Sequence, residues 1–211
     1  MREWNSLKDY PQPPHRIVRN PTIEHRIVAS RRGREFFDGD RAYGYGGYQD
    51  DGRWEPVAEC MRNEYALTEG SSILQINCEK GFLLNEFLKK GMEVRGIESS
   101  AYARRRCPLG ITVNNKWDFK EPFDLVIAVG AVYVENLPQA VNLLIEIERI
   151  SFSSFITLAS YDSEDDLKLF KQWSLLATTI LKKDEWREVM RYAGYTGDYW
   201  FVNAETLRLR E

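Results

Sequence analysis

Residues 71–103 read SSILQINCEKGFLLNEFLKKGMEVRGIESSAYA. An apolar run, Ile73–Ile76, enters a short polar turn. A helical pattern follows over Gly81–Lys90, then a second apolar run over Glu93–Ile97, and the acid Glu98 stands where that run ends. Strand, tight turn, helix and strand in this order form one βαβ unit of an open α/β sheet. An acid at the tip of the second strand suits the hydroxyls of a ribose. The turn has one glycine, Gly81, where phosphate- and nucleotide-facing turns usually have three. The fold is therefore easier to read here than the activity.

Outward from this unit, short apolar runs alternate with helical patterns, which predicts a parallel sheet. Further strands are expected at Gly110–Val113, Phe123–Val129 and Phe155–Ala159. Helices are expected at Ala101–Arg106 and Pro138–Ile150, with another before the sheet at about Pro56–Leu67. The C-terminal part predicts a helix through LKLFKQWSLLATTI, another through KDEWREVMRYAG ending at Gly194, and a last strand near Tyr199–Asn203. Residues 1–56 have little periodicity and read as an arm or lid with one short helix, leaving residues 57–211 as the α/β domain. Within the arm, Asp38–Trp54 carries five glycines in 17 residues, a loop of repeated turns.

At 211 residues the chain is long enough for one sizeable core. The balance of 29 basic against 32 acidic side chains gives a net charge of −3 and calls for neither nucleic acid nor an anionic membrane. The runs RRGR (31–34) and RRR (104–106) read as solvated faces. Cys60, Cys78 and Cys107 are an odd number without CxxC spacing, which predicts neither a disulfide framework nor a zinc cluster and favours a reducing cytoplasm. No His/Asp/Glu group has metal spacing. The N-terminus has no apolar leader, and no run approaches membrane-spanning length.

Residues 73–84, ILQINCEKGFLL, resemble motif I of class I S-adenosylmethionine-dependent methyltransferases. The resemblance puts Gln75 at the acidic position and Asn77, Glu79 and Gly81 at the three glycine positions. Asparagine tolerates left-handed backbone better than other non-glycine residues. Glu79 adds bulk and charge where the cofactor's methionine carboxylate would approach. The same resemblance makes Glu98 the ribose acid, places Asn115 near the adenine amino group, and reads FDLVIAVG as the fourth strand with Val129 at its edge. Its implied cofactor contacts are Gln75, Asn77, Cys78, Gly81, Glu98, Ser99, Asn115 and Val129. Cys78 is expected to be unreactive, with no histidine beside it. The implied fold is Rossmann-like: a mostly parallel sheet flanked by helices, with a reversed final hairpin and an antiparallel last strand.

Flanking segments add to this. DRAYGYGGYQDDGRWEPVAE before the sheet and WSLLATTILKKDEWREVMRYAGYTGDYWF after it look like a subgroup of small bacterial methyltransferases associated with surface-polysaccharide and sugar-modification clusters. That subgroup implies a small acceptor, sugar-derived or nucleotide-linked, methylated on oxygen or nitrogen. A homodimer or a pathway-partner protein is open. His15 and His25 both lie in the arm, so a core histidine base is excluded, and Asp40, Asp162 and Asp198 are the candidate carboxylates. Tyr43, Tyr45 and Tyr48 would form a lid over a cationic sulfonium. Arg41 and Arg53 would hold a carboxylate or phosphate. The catalytic residue itself is left unassigned. Two readings remain: an active methyltransferase, or a chain of the same fold that has lost the cofactor and serves as a partner or regulatory subunit.

Overall fold

Strands with apolar residues at every position need cover on both faces, and the chain supplies it with helices between successive strands. The computed structural model describes residues 1–116, 119–120 and 122–210. Trp117, Asp118 and Glu121, part of the stretch resembling the third and fourth strands, and Glu211, the end of the expected α/β domain, lie outside the described residues. The arm holds β1 (Arg2–Glu3), β2 (Arg16–Ile17), α1 (Ile23–Ser30), α2 (Arg34–Asp38) and a 3-10 turn at Arg41–Tyr43. Then come α3 (Glu55–Glu64), β3 (Ser72–Ile76), α4 (Phe82–Lys89), β4 (Glu93–Ile97), α5 (Ala101–Arg104) and β5 (Thr112–Asn114). The second half runs β6 (Phe123–Ala128), α6 (Leu137–Arg149), β7 (Ser151–Tyr161) and α7 (Glu164–Trp173). It ends with β8 (Leu181–Lys182), α8 (Lys183–Tyr192), β9 (Asp198–Val202) and β10 (Leu209–Arg210).

The main sheet has the order β1-β9-β7-β6-β3-β4-β5, with β8 added at the end of β7, and a small β2–β10 ladder stands apart. One face packs Leu74, Val126, Ile156 and Leu158 against Leu144 and Ile147 of α6 and Trp186 and Met190 of α8. The other packs Ile73, Leu125, Ile127 and Phe155 against Val57 and Met61 of α3 and Leu83, Leu84 and Phe87 of α4. Successive strand residues therefore feed opposite layers, as the two-residue period of a strand requires.

The expected antiparallel last strand is corrected. β9 runs parallel to β7, with Asp198 opposite Phe155 and Val202 opposite Ala159. A reversed hairpin needs a tight turn, whereas here α8 carries the chain back across the sheet before β9 begins. The helix expected through residue 180 also stops early, at Trp173, because Ser174 turns extended (ψ 130°) and the Thr178 and Thr179 amides bond the Tyr133 carbonyl.

What matters for function is where the strand order reverses. β3 leads outward to β4 and β5, while β6 leads the other way to β7 and β9. The helices after β3 and β6 pack on opposite faces, which makes the region beyond these strand ends the topological switch point, where open α/β sheets form a ligand crevice.

Candidate functional site

The turn from β3 to α4 lies at this crevice. Asn77, Glu79 and Gly81 have φ angles of 57°, 56° and 72°, so all three expected glycine positions are left-handed although only one holds glycine. The Gly81 amide donates to the Cys78 carbonyl at 2.8 Å, and the Cys78 amide donates to Ile97 at the end of β4 at 3.0 Å. Gly81 is also sterically confined: a Cβ there would meet Cys107 Sγ at 3.2 Å and Ile111 Cδ1 at 3.4 Å. Non-glycine side chains cost strain in this backbone region, so the shape persists at a local expense.

Of the expected contacts, Gln75, Asn77, Cys78 and Gly81 come together at the end of β3, and Glu98 and Ser99 at the end of β4. Asn115 follows β5 and Val129 follows β6 on the same edge of the sheet. Gln75 is buried between Gly96 of β4 and Ile127 of β6, and its Oε1 has no hydrogen-bond partner. Cys78 is buried, and its contact with Cys107 followed by burial pushes the thiol well above its ordinary range.

Glu98 is fully buried. Its Oε1 accepts from the Ser100 amide at 2.7 Å, from Ser99 Oγ at 3.4 Å and from Arg32 Nε at 3.4 Å. Its Oε2 accepts from the Glu79 amide at 2.9 Å and from Arg32 Nη2 at 3.0 Å. Arg32 thus corrects the reading of RRGR as a solvated face: its side chain is 13% exposed, and it reaches the inner end of β4 from the arm.

Beside this pair, Arg32 Nη2 lies 4.0 Å from the Glu79 carboxylate, which also accepts from the Tyr45 hydroxyl. Burial pushes the Glu79 carboxyl above its ordinary range, against the opposing pull of Arg32 and Tyr45. Lys80, the next residue, is buried and donates to Asp38 at 2.7 and 2.8 Å. Burial pushes Asp38 up, but its bonds to Lys80, Tyr102 and the Tyr48 amide outweigh this and hold it below the usual carboxylate range.

The arm tyrosines divide. Tyr48 is buried, stacks on Tyr45 at 4.6 Å and accepts from Trp54 Nε1 at 3.1 Å, while Tyr43 packs on His25 at 5.3 Å. Arg41 and Arg53 bond within the arm. Arg41 donates to the Gly44 and Tyr45 carbonyls, and Arg53 to Asp51 and Tyr10. The three candidate bases are likewise engaged. Asp40 caps the 3-10 turn through the Ala42 amide, Asp162 binds Lys183 and Asn203, and Asp198 binds Arg2 and Tyr65. Of RRR, Arg104 donates to the Glu98 and Ser99 carbonyls and Arg106 stacks on Tyr102 at 3.5 Å.

Two residues outside the expected contacts interact with Glu79: Arg32, and Tyr133 in the loop after β6. The Tyr133 hydroxyl would stand 3.5 Å from a Cβ on Gly130, and burial, with Glu79 adding to it, pushes it up to about 12. Among the described residues no group of three or more His, Cys, Asp or Glu could hold a metal ion, and no helix is long and apolar enough to cross a membrane.

Solved structures share this fold. The chain is similar to a Bacillus halodurans protein described as a methyltransferase, at 14% identity over 65% of this chain and 68% of that one, with a TM-score of 0.54. It is similar to an S-adenosylmethionine-dependent methyltransferase of Archaeoglobus fulgidus at 17% identity, covering 67% and 68%, with a TM-score of 0.50. A third is the Haemonchus contortus phosphoethanolamine N-methyltransferase 2, solved with S-adenosylhomocysteine and phosphomonomethylethanolamine, at 14% identity and a TM-score of 0.53. That match covers 79% of this chain and 41% of the longer enzyme. The chain shares the Rossmann-like fold of these methyltransferases, here with a parallel last strand. No protein-family description matches the sequence, and no curated protein does.

Proposed function

We propose that this chain is an S-adenosylmethionine-dependent methyltransferase acting on a small acceptor. The observation that carries the reading is the orphaned Oε1 of Gln75, buried at the motif I acid position on the crevice. A buried acceptor without a donor costs about 1–3 kcal/mol, and an amino acid's ammonium group is the donor that would satisfy it. The left-handed turn at Asn77, Glu79 and Gly81 leaves backbone to face the amino-acid part of the cofactor. Glu98 would hold the ribose hydroxyls, with Ser99, Asn115 and Val129 around the base. When bound, S-adenosylmethionine supplies a sulfonium methyl group for in-line displacement by an acceptor oxygen or nitrogen. The residues of this chain position the reactants, and such positioning can supply up to about 7–11 kcal/mol of barrier reduction in favourable systems. The resemblance of the two flanking segments supports a sugar-derived or nucleotide-linked acceptor, and three cysteines without CxxC spacing support a cytoplasmic setting, with residues 1–56 as an arm over the site.

Titration calorimetry with S-adenosylhomocysteine tests this. The expected result is micromolar binding that weakens at least tenfold in Gln75→Leu and in Glu98→Ala. Gln75→Leu should at the same time leave the free protein as stable or more stable, because the orphaned acceptor is gone. Absence of binding at millimolar ligand would sink the enzyme.

One observation favours a second reading, a partner or regulatory subunit of the same fold: every acceptor position of Glu98 is already engaged by the chain itself. The same titration separates the two.

A further inference from the structure

A carboxylate offers about four acceptor positions, and Glu98 receives donors from Ser99, Ser100, Glu79 and twice from Arg32. A vicinal diol brings two further donors, so something must leave. The Glu79, Ser99 and Ser100 groups belong to the two turns that shape the crevice. Arg32 comes from the arm, 66 residues away in the chain.

Its hold is double. While the guanidinium forks onto Glu98, the Arg32 carbonyl accepts from the Ser100 hydroxyl. The guanidinium also lies against Phe36 and Phe37, at 5.4 and 5.7 Å from the ring centres, and Arg32 itself has a strained φ of 45°. The arm is anchored on either side of this point. Arg26 donates to the Lys171 and Ser174 carbonyls beyond the crevice, and Asp38 binds Lys80 and Tyr102. Between these anchors, Arg32 is the segment's charged contact with the strand ends.

We propose that Arg32 is a resident competitor for Glu98: the arm keeps the cradle shut through this ion pair, and a ligand's ribose diol gains Glu98 only by displacing it. The identity of the ligand rests on the methyltransferase reading; the latch rests on the contacts themselves. Loss of the fork leaves Glu98 buried without its counter-charge, so opening is unfavourable until the diol replaces the lost donors. Cofactor entry and arm release are then one coupled equilibrium.

The test compares wild type with Arg32→Met, which retains an unbranched side chain against Phe36 and Phe37 but has no donors. Two quantities are read: S-adenosylhomocysteine affinity by calorimetry, and amide hydrogen exchange over residues 33–48 without ligand. The latch predicts at least tenfold tighter binding and at least tenfold faster exchange in the variant. Should Arg32→Met melt too low for titration, Arg32→Lys retains the charge without the fork and should show at least a threefold gain in both. Equal or weaker affinity in a folded variant, with wild type binding, overturns the latch and leaves the enzyme standing. Unchanged exchange overturns it whatever the affinity. Absence of binding in both proteins at millimolar ligand removes the enzyme reading, and with it the ligand this latch would admit.

Discussion

Glu79 shows how much one side chain decides at this site. At a position whose backbone suits glycine, it places a carboxyl that is 13% exposed beside Arg32 and Tyr45. Burial raises its affinity for a proton above the ordinary 4.5. The native state therefore binds more protons than the unfolded chain in the window that opens near 4.5, and stability contributed by this group falls as pH rises through it. Below that window the contribution is fully present. Glu79→Gln should flatten this part of the stability-against-pH curve, measured by urea unfolding at steps from pH 4 to 8. An unchanged slope would refute the assignment. None of this was legible locally. The sequence marks Glu79 as a departure from the motif, but its burial comes from an arm more than thirty residues upstream. Arg32 was missed for the same reason, since a run of arginines looks solvated until the buried acid it serves is known.

Among the elements, the β3–α4 turn and strand β4 next to it each hold a confined glycine. Gly81 couples a φ of 72° to contacts with Cys107 and Ile111, so Gly81→Ala should cost about 1–2 kcal/mol from backbone strain alone. Gly96 on β4 is confined differently: a Cβ would lie 2.5 Å from Cys78 Sγ and 3.2 Å from Leu84 Cδ1. Gly96→Ala should cost about 1–3 kcal/mol by overpacking and shift the turn that Cys78 belongs to. Chemical denaturation checks both, and losses under half a kcal/mol would count against these contacts. Strands β3 and β6 were readable because near-continuous apolar runs mark covered strands, whereas β4 alternates exposed Glu93 and Arg95 with buried Val94 and Gly96. The direction of β9 was not readable, because a single strand has the same alternation whichever way it runs; α8 settles it. Asn136 and Ser163, which cap α6 and α7, stand before the expected helix starts at Pro138 and Leu167.

At the scale of the molecule, β1 closes the β9 edge of the sheet. Arg2 donates twice to Asp198, at 3.1 and 2.6 Å, and Tyr65 donates to the same carboxylate at 3.0 Å. Removing that carboxylate loosens β1 and leaves β9 as an open edge. Asp198→Ala should lose about 1–2 kcal/mol, a fall in Tm of roughly 2–8 °C, and should show concentration-dependent light scattering. A monodisperse variant with unchanged Tm would show that the edge is protected otherwise. The division into arm and sheet was visible in composition, since glycine-rich, aperiodic sequence stands before the first covered strand. What composition concealed is that two of the arm's charged residues, Arg32 and Asp38, are spent on Glu98 and Lys80 at the strand ends.

That expenditure bears on how ligands for this chain are sought. A molecule that evicts Arg32 from Glu98 replaces one set of donors on that carboxylate by another, so its gain in melting temperature reports the net affinity alone and is blind to the release of the arm. A protease able to nick the released loop around Gly46 and Gly47 would report the same event as a cut.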